Sequence, residues 1–192
     1  MVKKLKINLP NILVIVRIAL IPVFLFFFLN AGPGEYFFRF ISMLIFLAAS
    51  VSDFFDGFLA RRWNTVSNFG KLMDPLADKM LVSSALIALA YRQELAAWVV
   101  IVIICREFWV TSLRMLALEQ GNKVISASIW GKTKTVLQMI MLTVLISGIG
   151  TINILGQWGI TITLMLVYLA VIATIFSAVE YTKEYSAVFK TD

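Results

Sequence analysis

Four aspartates stand in two closely spaced pairs within a very hydrophobic sequence, Asp53 with Asp56 and Asp74 with Asp78. A carboxylate at the centre of a membrane helix costs about 2.5 to 3.5 kcal/mol on insertion scales, so several together indicate an ion site or a reaction centre. Spacings of three and four residues place each pair along one stripe of a helix. The short polar connection between the two stretches predicts antiparallel neighbours, so we expect four carboxylates to share one small volume.

Carboxylates that lie this close cannot all remain ionised unless protons or cations neutralise them. Hard oxygen ligands suit Mg²⁺ or Mn²⁺, and a sequence without histidine offers no soft ligand set for zinc or copper. Gly57 and Gly70 remove side chains from the same volume, and Arg61 supplies donors suited to phosphate. Small residues in membrane helices often serve close packing alone. Beside four carboxylates and Arg61, we interpret them as part of a nucleotide pocket.

The composition indicates that these residues belong to a membrane protein. Of 192 residues, 60% are hydrophobic and only 15% are charged, which is too apolar for an ordinary soluble domain. Apolar segments long enough to cross the hydrocarbon core recur along the whole chain. Helices are expected from about residue 8 or 11 to 30, at 36–62, from about residue 70 or 75 to 91, and at 94–118, 129–149 and 158–181. We therefore predict an all-α integral membrane protein with six transmembrane helices in one bundle, an amphipathic N-terminal segment and a single domain over 1–192.

The net charge of +6 is explained by topology, and we expect no nucleic acid as a partner. Lys and Arg fall mostly in the N-terminal segment, in alternate connections between apolar spans and in the C-terminal tail, which is the pattern of cytoplasmic loops. The four aspartates lie next to one of these basic connections. We therefore predict a multi-pass protein of the inner (plasma) membrane with its active site facing the cytoplasm.

The spacing of the aspartate motif resembles the signature of the CDP-alcohol phosphatidyltransferase family at every defined position. Asp53 and Asp56 are followed by Gly57, Ala60 and Arg61, then after eight residues by Gly70, Asp74 and Asp78. Members of that family are six-helix membrane enzymes, usually homodimers, that displace CMP from a CDP-linked lipid or alcohol with two divalent ions. The resemblance implies the same fold, homodimer and pair of Mg²⁺ or Mn²⁺ ions here.

The resemblance also implies roles for individual residues. It makes Asp53, Asp56 and Asp74 metal ligands, and makes Asp78 both a metal ligand and the catalytic general base. It assigns contacts with the CDP-lipid to seven further residues, of which the last two extend the cavity to the first helix: Gly57, Ala60, Arg61, Ser67, Gly70, Asn11 and Arg17.

A second set of charged residues lies in the second half of the chain: Arg106, Glu107 and Arg114 in predicted helix four, and Lys132 and Lys134 in helix five. Positions 106 and 114 are about 80° apart around a helix, so both can border one cavity. Snorkelling to lipid headgroups would explain either lysine alone, but arginine inside an apolar span requires an anion. A phosphorylated acceptor meets that requirement, whereas a neutral alcohol does not.

Three stretches, 11–24, 106–114 and 126–135, further resemble the members of the family that make phosphatidylglycerophosphate. This resemblance implies transfer of the phosphatidyl group from CDP-diacylglycerol to sn-glycerol 3-phosphate. It also implies that membrane lipids surround the protein. A related enzyme with an acceptor such as inositol phosphate remains an alternative. A divalent-ion transporter is a second alternative, although helices two and three become almost wholly apolar away from the aspartates. A structural membrane protein whose acids only pair with nearby bases is the third.

Overall fold

A computed structural model describes residues 9–32, 34–63, 68–119, 129–149 and 157–189. Within these ranges it does not describe the side chains of 9–13, 53–63, 68–76, 78, 118–119 and 186–189. The helices are α1 (Leu9–Asn30), α2 (Tyr36–Trp63), α3 (Asn68–Tyr91), α4 (Ala97–Glu119), α5 (Ile129–Ser147) and α6 (Gln157–Phe189). The described residues contain no β-strand, so the predicted all-α class and the count of six helices are confirmed. The predicted amphipathic segment at 1–8 lies outside the described residues.

The chain divides into two compact units, Met1–Ala88 and Leu89–Asp192. In the first unit α1 packs against α2. In the second unit α6 packs against both α4 and α5. That the whole of 1–192 forms one domain stays a prediction.

The stripe of α1 that is buried repeats every three or four residues, which is the spacing of one helix face. Its members are Val14, Arg17, Ile21, Phe24 and Phe28. The ring of Phe24 stacks on that of Phe28 at 5.6 Å between centroids and meets the ring of Phe46 on α2 at 6.0 Å. Aromatic rings at these distances stabilise a contact beyond the area they bury. They hold α1 and α2 together.

A tight turn between Ala31 and Glu35 joins α1 to α2. Gly34 has a φ of 85°, a conformation that glycine adopts without steric cost. The backbone N–H of Gly32 donates to Oε2 of Glu35 at 3.0 Å, and the N–H of Glu35 donates to the carbonyl of Gly32 at 3.1 Å. These bonds satisfy backbone polar groups of the connection between the two helices.

A buried cluster of the second unit forms where α4 meets the last turns of α6. Val110, Ala117, Tyr181 and Tyr185 are buried there, with Leu113 packed against them. The sequence predicts that the last helix ends near Tyr181, but α6 continues to Phe189. The predicted end was wrong because Tyr181 and Tyr185 lie on one face, four residues apart, and bury that face against α4.

Two helices among the described residues are long and apolar enough to cross a membrane, Ile129–Ser147 and Gln157–Tyr185. Shorter apolar helical stretches cover Val14–Asn30, Tyr36–Ser52 and Lys79–Tyr91. Large apolar side chains cover the outer surface of α6 and include Leu164, Met165, Tyr168, Leu169 and Ile172. Such a surface would be unstable in water, and it suits a lipid environment.

Candidate active site

The aspartate motif lies on the helices for which the sequence predicts it. Asp53, Asp56, Gly57, Ala60 and Arg61 fall within α2, and Gly70, Asp74 and Asp78 fall within α3. Because this backbone is helical, the two aspartates of each pair share a stripe of their helix. The side chains of these eight residues, and that of Asn11 on α1, lie outside the described residues, as does the whole of Ser67. Their roles stay predictions.

Among the side chains that the structure describes, no group of three His, Cys, Asp or Glu residues stands ready to hold a metal ion. This finding does not extend to the four aspartates. The predicted metal ligands remain Asp53, Asp56, Asp74 and Asp78, whose carboxylate oxygens are the ligand type that Mg²⁺ and Mn²⁺ prefer.

Arg17, a predicted contact of the CDP-lipid, belongs to the buried stripe of α1. Only 1% of its surface is exposed, which makes it one of the largest fully buried side chains in the described structure. A charged side chain within an apolar helix is costly and usually marks a functional position. This burial is consistent with the predicted role of Arg17 but does not test it.

Three of the four cations that the sequence assigns to an acceptor phosphate lie together in the second unit. Arg106 and Arg114 come from α4 and Lys134 comes from α5. The exposed fraction of the Lys134 side chain is only 5%, and that of Arg106 is 10%. The charged groups therefore lie in a largely dry environment, in which their electric field is weakly screened.

Glu107 joins the α4 and α5 parts of this basic cluster. Its Oε1 atom accepts a hydrogen bond from Nη1 of Arg106 at 3.2 Å and a second from Nζ of Lys134. One carboxylate thus fixes two cations that come from different helices. Charge-assisted bonds of this kind are the stronger hydrogen bonds of proteins.

Helix α6 contributes two hydroxyl groups and one aromatic ring to the cluster. Nη2 of Arg106 donates to Oγ of Ser177, and Nη2 of Arg114 donates to the hydroxyl of Tyr181 at 2.8 Å. The guanidinium carbons of Arg106 and Arg114 also lie 5.7 and 5.2 Å from the centroid of the Tyr181 ring. Both distances are within the range of cation–π attraction.

The sequence alone did not identify Ser177 and Tyr181 as members of this cluster. A signal exists in the four-residue spacing of Ser177, Tyr181 and Tyr185, which puts three polar atoms on one face of an apolar helix. Spacing along α6 does not reveal which helix that face meets. The structure supplies that information.

Several buried polar atoms in and near the cluster have no hydrogen-bond partner in the described structure. Nε of Arg106 and Nε of Arg114 are buried and have no hydrogen-bond partner in the described structure. Oε1 of Gln138, one turn after Lys134 on α5, is also buried and unpaired. Buried polar groups are nearly always hydrogen-bonded, so the two unused guanidinium N–H groups are donors that an anion could satisfy. The arrangement is suited to binding a small phosphorylated molecule.

Lys132, the fourth predicted cation, is exposed on α5. It takes no part in the hydrogen bonds that link the other three cations to Glu107, Ser177 and Tyr181. Lys132 and Lys134 lie on nearly opposite sides of α5, because positions two apart on a helix point about 200° apart. The role of Lys132 at the acceptor phosphate stays a prediction.

Comparison with known proteins places the chain in a family. The model of the CDP-alcohol phosphatidyltransferase family matches residues 7–180, which include both the aspartate motif and most of the basic cluster. The chain belongs to this family, as the resemblance of its motif predicted. Members of the family are membrane-bound, so the predicted membrane class is confirmed together with the helical fold.

Individual relatives narrow the class further. The CDP-diacylglycerol–glycerol-3-phosphate 3-phosphatidyltransferase of Bacillus subtilis is 45% identical over 148 residues, covering 72% of this chain and 76% of the relative. The enzyme of the same name from Rickettsia bellii is 42% identical over 149 residues, covering 77% and 80%. A probable phosphatidylglycerophosphate synthase of Mycobacterium tuberculosis is 35% identical over 174 residues, covering 91% and 79%. The chain is therefore similar to transferases of phospholipid synthesis along most of its length.

Proposed function

We propose that the protein transfers the phosphatidyl group of CDP-diacylglycerol to sn-glycerol 3-phosphate, giving phosphatidylglycerophosphate and CMP. The observation that carries this proposal is the basic cluster, in which Arg106, Arg114 and Lys134 converge from two helices with donors to spare. The relatives from Bacillus and Rickettsia carry this reaction in their names. The proposal places the enzyme in the inner membrane as a homodimer, with its active site toward the cytoplasm.

The charge of the basic cluster fits a phosphate monoester. Three cations, Arg106, Arg114 and Lys134, and one anion, Glu107, leave an excess of two positive charges. A phosphate monoester carries about −1.5 to −2 at neutral pH. A dianion therefore neutralises the cluster, whereas a neutral alcohol would leave buried positive charge uncompensated, which is costly. This favours a phosphorylated acceptor.

The donor substrate is assigned to the aspartate motif of the first unit. Asp53, Asp56, Asp74 and Asp78 would hold two Mg²⁺ or Mn²⁺ ions, which supply neutralising charge for a diphosphate when they are bound. The CDP-lipid contacts are those predicted from the motif and from the first helix: Gly57, Ala60, Arg61, Ser67, Gly70, Asn11 and Arg17. Glycines leave room for a flat or branched ligand group, and Arg61 offers donors in a fork that matches phosphate oxygens.

The reaction is a displacement at the phosphorus that carries the lipid. The free terminal hydroxyl of glycerol 3-phosphate forms a bond to that phosphorus, while the bond from phosphorus to the bridging oxygen of the diphosphate breaks. CMP leaves with the electron pair of the broken bond. Asp78 takes the proton of the attacking hydroxyl as general base. The basic cluster contributes by holding the acceptor's phosphate, which reduces the freedom lost at the transition state.

An assay of acceptor choice tests the proposal. Purified protein is given CDP-diacylglycerol with glycerol 3-phosphate, inositol phosphate, glycerol or ethanolamine, and CMP release is measured with Mg²⁺, with Mn²⁺ and with EDTA. We expect release with glycerol 3-phosphate and either ion, and none with EDTA or with the neutral alcohols. A preference for inositol phosphate would show that the protein is a related transferase with a different acceptor. Divalent-ion uptake into vesicles without CMP release would favour a transporter.

A substitution in the basic cluster tests the site itself. Arg114→Ala is expected to raise the KM for glycerol 3-phosphate at least about tenfold, because a hydrogen bond to a charged group contributes about 1.5 to 3 kcal/mol. The KM for CDP-diacylglycerol should stay within about twofold of the wild-type value. Lys183→Ala, which removes an exposed charge from α6, is the control. An unchanged KM for glycerol 3-phosphate in Arg114→Ala would refute the acceptor site.

A further inference from the structure

The side chain of Tyr181 contacts both arginines of the basic cluster. It is buried, with 1% of its surface exposed. Its ring centroid lies 5.7 Å from the guanidinium carbon of Arg106 and 5.2 Å from that of Arg114. Its hydroxyl accepts a hydrogen bond from Nη2 of Arg114 at 2.8 Å. One aromatic side chain therefore contacts two groups of like charge.

Two guanidinium groups held near each other repel when no anion lies between them. The face of a tyrosine ring carries negative charge density and attracts cations. Tyr181 thus offsets part of the repulsion between Arg106 and Arg114 and defines where each group lies. Without the ring, each long side chain would regain rotamer freedom that must be lost again on binding.

The neighbours of Tyr181 on α6 restrict its own orientation. Ser177, one turn earlier, accepts a hydrogen bond from Nη2 of Arg106. Tyr185, one turn later, is fully buried, and its ring stacks on Tyr181 with 6.3 Å between centroids and 17° between planes. Val110 of α4 lies in the same buried cluster. A ring packed from several sides is a fixed support for the arginines.

Each of the two arginines that Tyr181 contacts keeps a hydrogen-bond donor that could bind a ligand. Nε of Arg106 and Nε of Arg114 are buried without a hydrogen-bond partner. A phosphate group has three oxygens available to donors from two directions, and guanidinium groups bind such oxygens in pairs. Two guanidinium groups fixed on one ring form a preorganised receptor for one phosphate.

We propose that Tyr181 is the positioning residue for the acceptor phosphate, and that it holds Arg106 and Arg114 in the arrangement in which both bind one phosphate group. The proposal rests on the function proposed above. Tyr181 acts through the arginines and does not touch the reacting atoms. Its effect should therefore appear in the affinity for the phosphorylated acceptor and not in the handling of CDP-diacylglycerol.

Two substitutions separate the ring of Tyr181 from its hydroxyl. Tyr181→Phe keeps the ring, and its loss of one hydrogen bond should raise the KM for glycerol 3-phosphate about fivefold. Tyr181→Leu also removes the π face, and the KM should rise about 30-fold or more. In both variants the KM for CDP-diacylglycerol and the kcat at saturating acceptor should stay within about twofold of wild type. Tyr168→Leu replaces a tyrosine of α6 that is 56% exposed and is the matched control.

The proposal requires that Tyr181→Phe raise the KM for glycerol 3-phosphate less than Tyr181→Leu does. A Phe variant no better than the Leu variant, or equal rises in the KM for both substrates, would show a general structural role and overturn it. If Tyr181→Leu does not fold, as judged by gel filtration, the test depends on Tyr181→Phe alone. That variant must raise the KM for glycerol 3-phosphate and leave the KM for CDP-diacylglycerol unchanged. Arg114→Ala is measured alongside. If Arg114→Ala raises the acceptor KM and the Tyr181 variants do not, only the positioning role fails; if Arg114→Ala also changes nothing, the proposed acceptor site fails.

Discussion

Replacing Glu107 by glutamine should destabilise the protein more than replacing either of its cationic partners. Oε1 of Glu107 accepts from both Lys134 and Arg106, so Glu107→Gln removes the counter-charge of two cations in one step. Lys134 keeps only 5% of its side chain exposed, and an ammonium that dry depends on its carboxylate. Lys134→Met, in contrast, leaves Glu107 with Arg106 at 3.2 Å.

The expected magnitude follows from the burial of the pair. Removing one partner of a buried ion pair costs about 3 to 5 kcal/mol. Because the side chain of Glu107 is 20% exposed, we expect the lower end, about 3 kcal/mol for Glu107→Gln. In a chain of this size that corresponds to a fall in Tm of about 6 to 12 °C. Lys134→Met should cost about 1 kcal/mol, because it replaces the charge with an apolar side chain of similar length.

Thermal unfolding in detergent, followed by the loss of helical circular dichroism, measures these effects in a double-mutant cycle. The double variant Glu107→Gln with Lys134→Met should be more stable than Glu107→Gln alone, because the buried ammonium that lost the charge of Glu107 is then absent. Glu184→Gln, which removes an exposed carboxylate of α6, should not shift the Tm measurably. Strictly additive losses in the double variant, or a smaller loss in Glu107→Gln than in Lys134→Met, would refute this account of the cluster.

Three further measurements test other parts of the molecule. Asp78→Asn should lower kcat by about 10²- to 10⁴-fold, the usual contribution of a general base, with CDP-diacylglycerol binding retained in a vesicle pull-down; near-normal CMP release would remove Asp78 from that role. Phe46→Ala, which deletes a fully buried ring 6.0 Å from Phe24, should cost about 3 to 5 kcal/mol of stability, and a Tm equal to wild type would contradict the described packing of α1 on α2. Glycerol 3-phosphate at about 100 times the wild-type Kd should stabilise the wild type by about 2.7 kcal/mol and Arg114→Ala, with an affinity about tenfold lower, by only about 1.4 kcal/mol; equal stabilisation of both proteins would argue against a phosphate site at Arg114.

Helix positions were predictable from the sequence because they depend on local patterns. Apolar segments of membrane length and the Gly-rich break at Gly32 and Gly34 fix where α1 ends and α2 begins. The end of α6 was not predictable in the same way. Its last turns contain charged residues, and they remain helical because Tyr181 and Tyr185 pack on α4, a contact between segments far apart in sequence.

In the candidate site, too, the features that depend on local sequence were predictable and those that depend on contacts between helices were not. The aspartate motif was recognisable because its spacing is local and fits a known signature. The contacts of the basic cluster were only partly predictable, because Lys132 and Lys134 look equivalent in the sequence and only the fold buries one of them. Tyr181 lies 67 residues from Arg114, so no pattern within a single helix announces their contact. Packing between helices decides such pairs.

The length of α6 has a consequence for the depth at which the basic cluster lies in a membrane. At 1.5 Å per residue its 33 residues extend about 50 Å, whereas the oily interior of a bilayer is only about 30 Å deep. Some 20 residues from Gln157 suffice for the crossing, which brings Ser177 and Tyr181 to the boundary on the far side. A hydrated phosphate monoester can therefore approach the proposed acceptor site from the aqueous side without entering hydrocarbon.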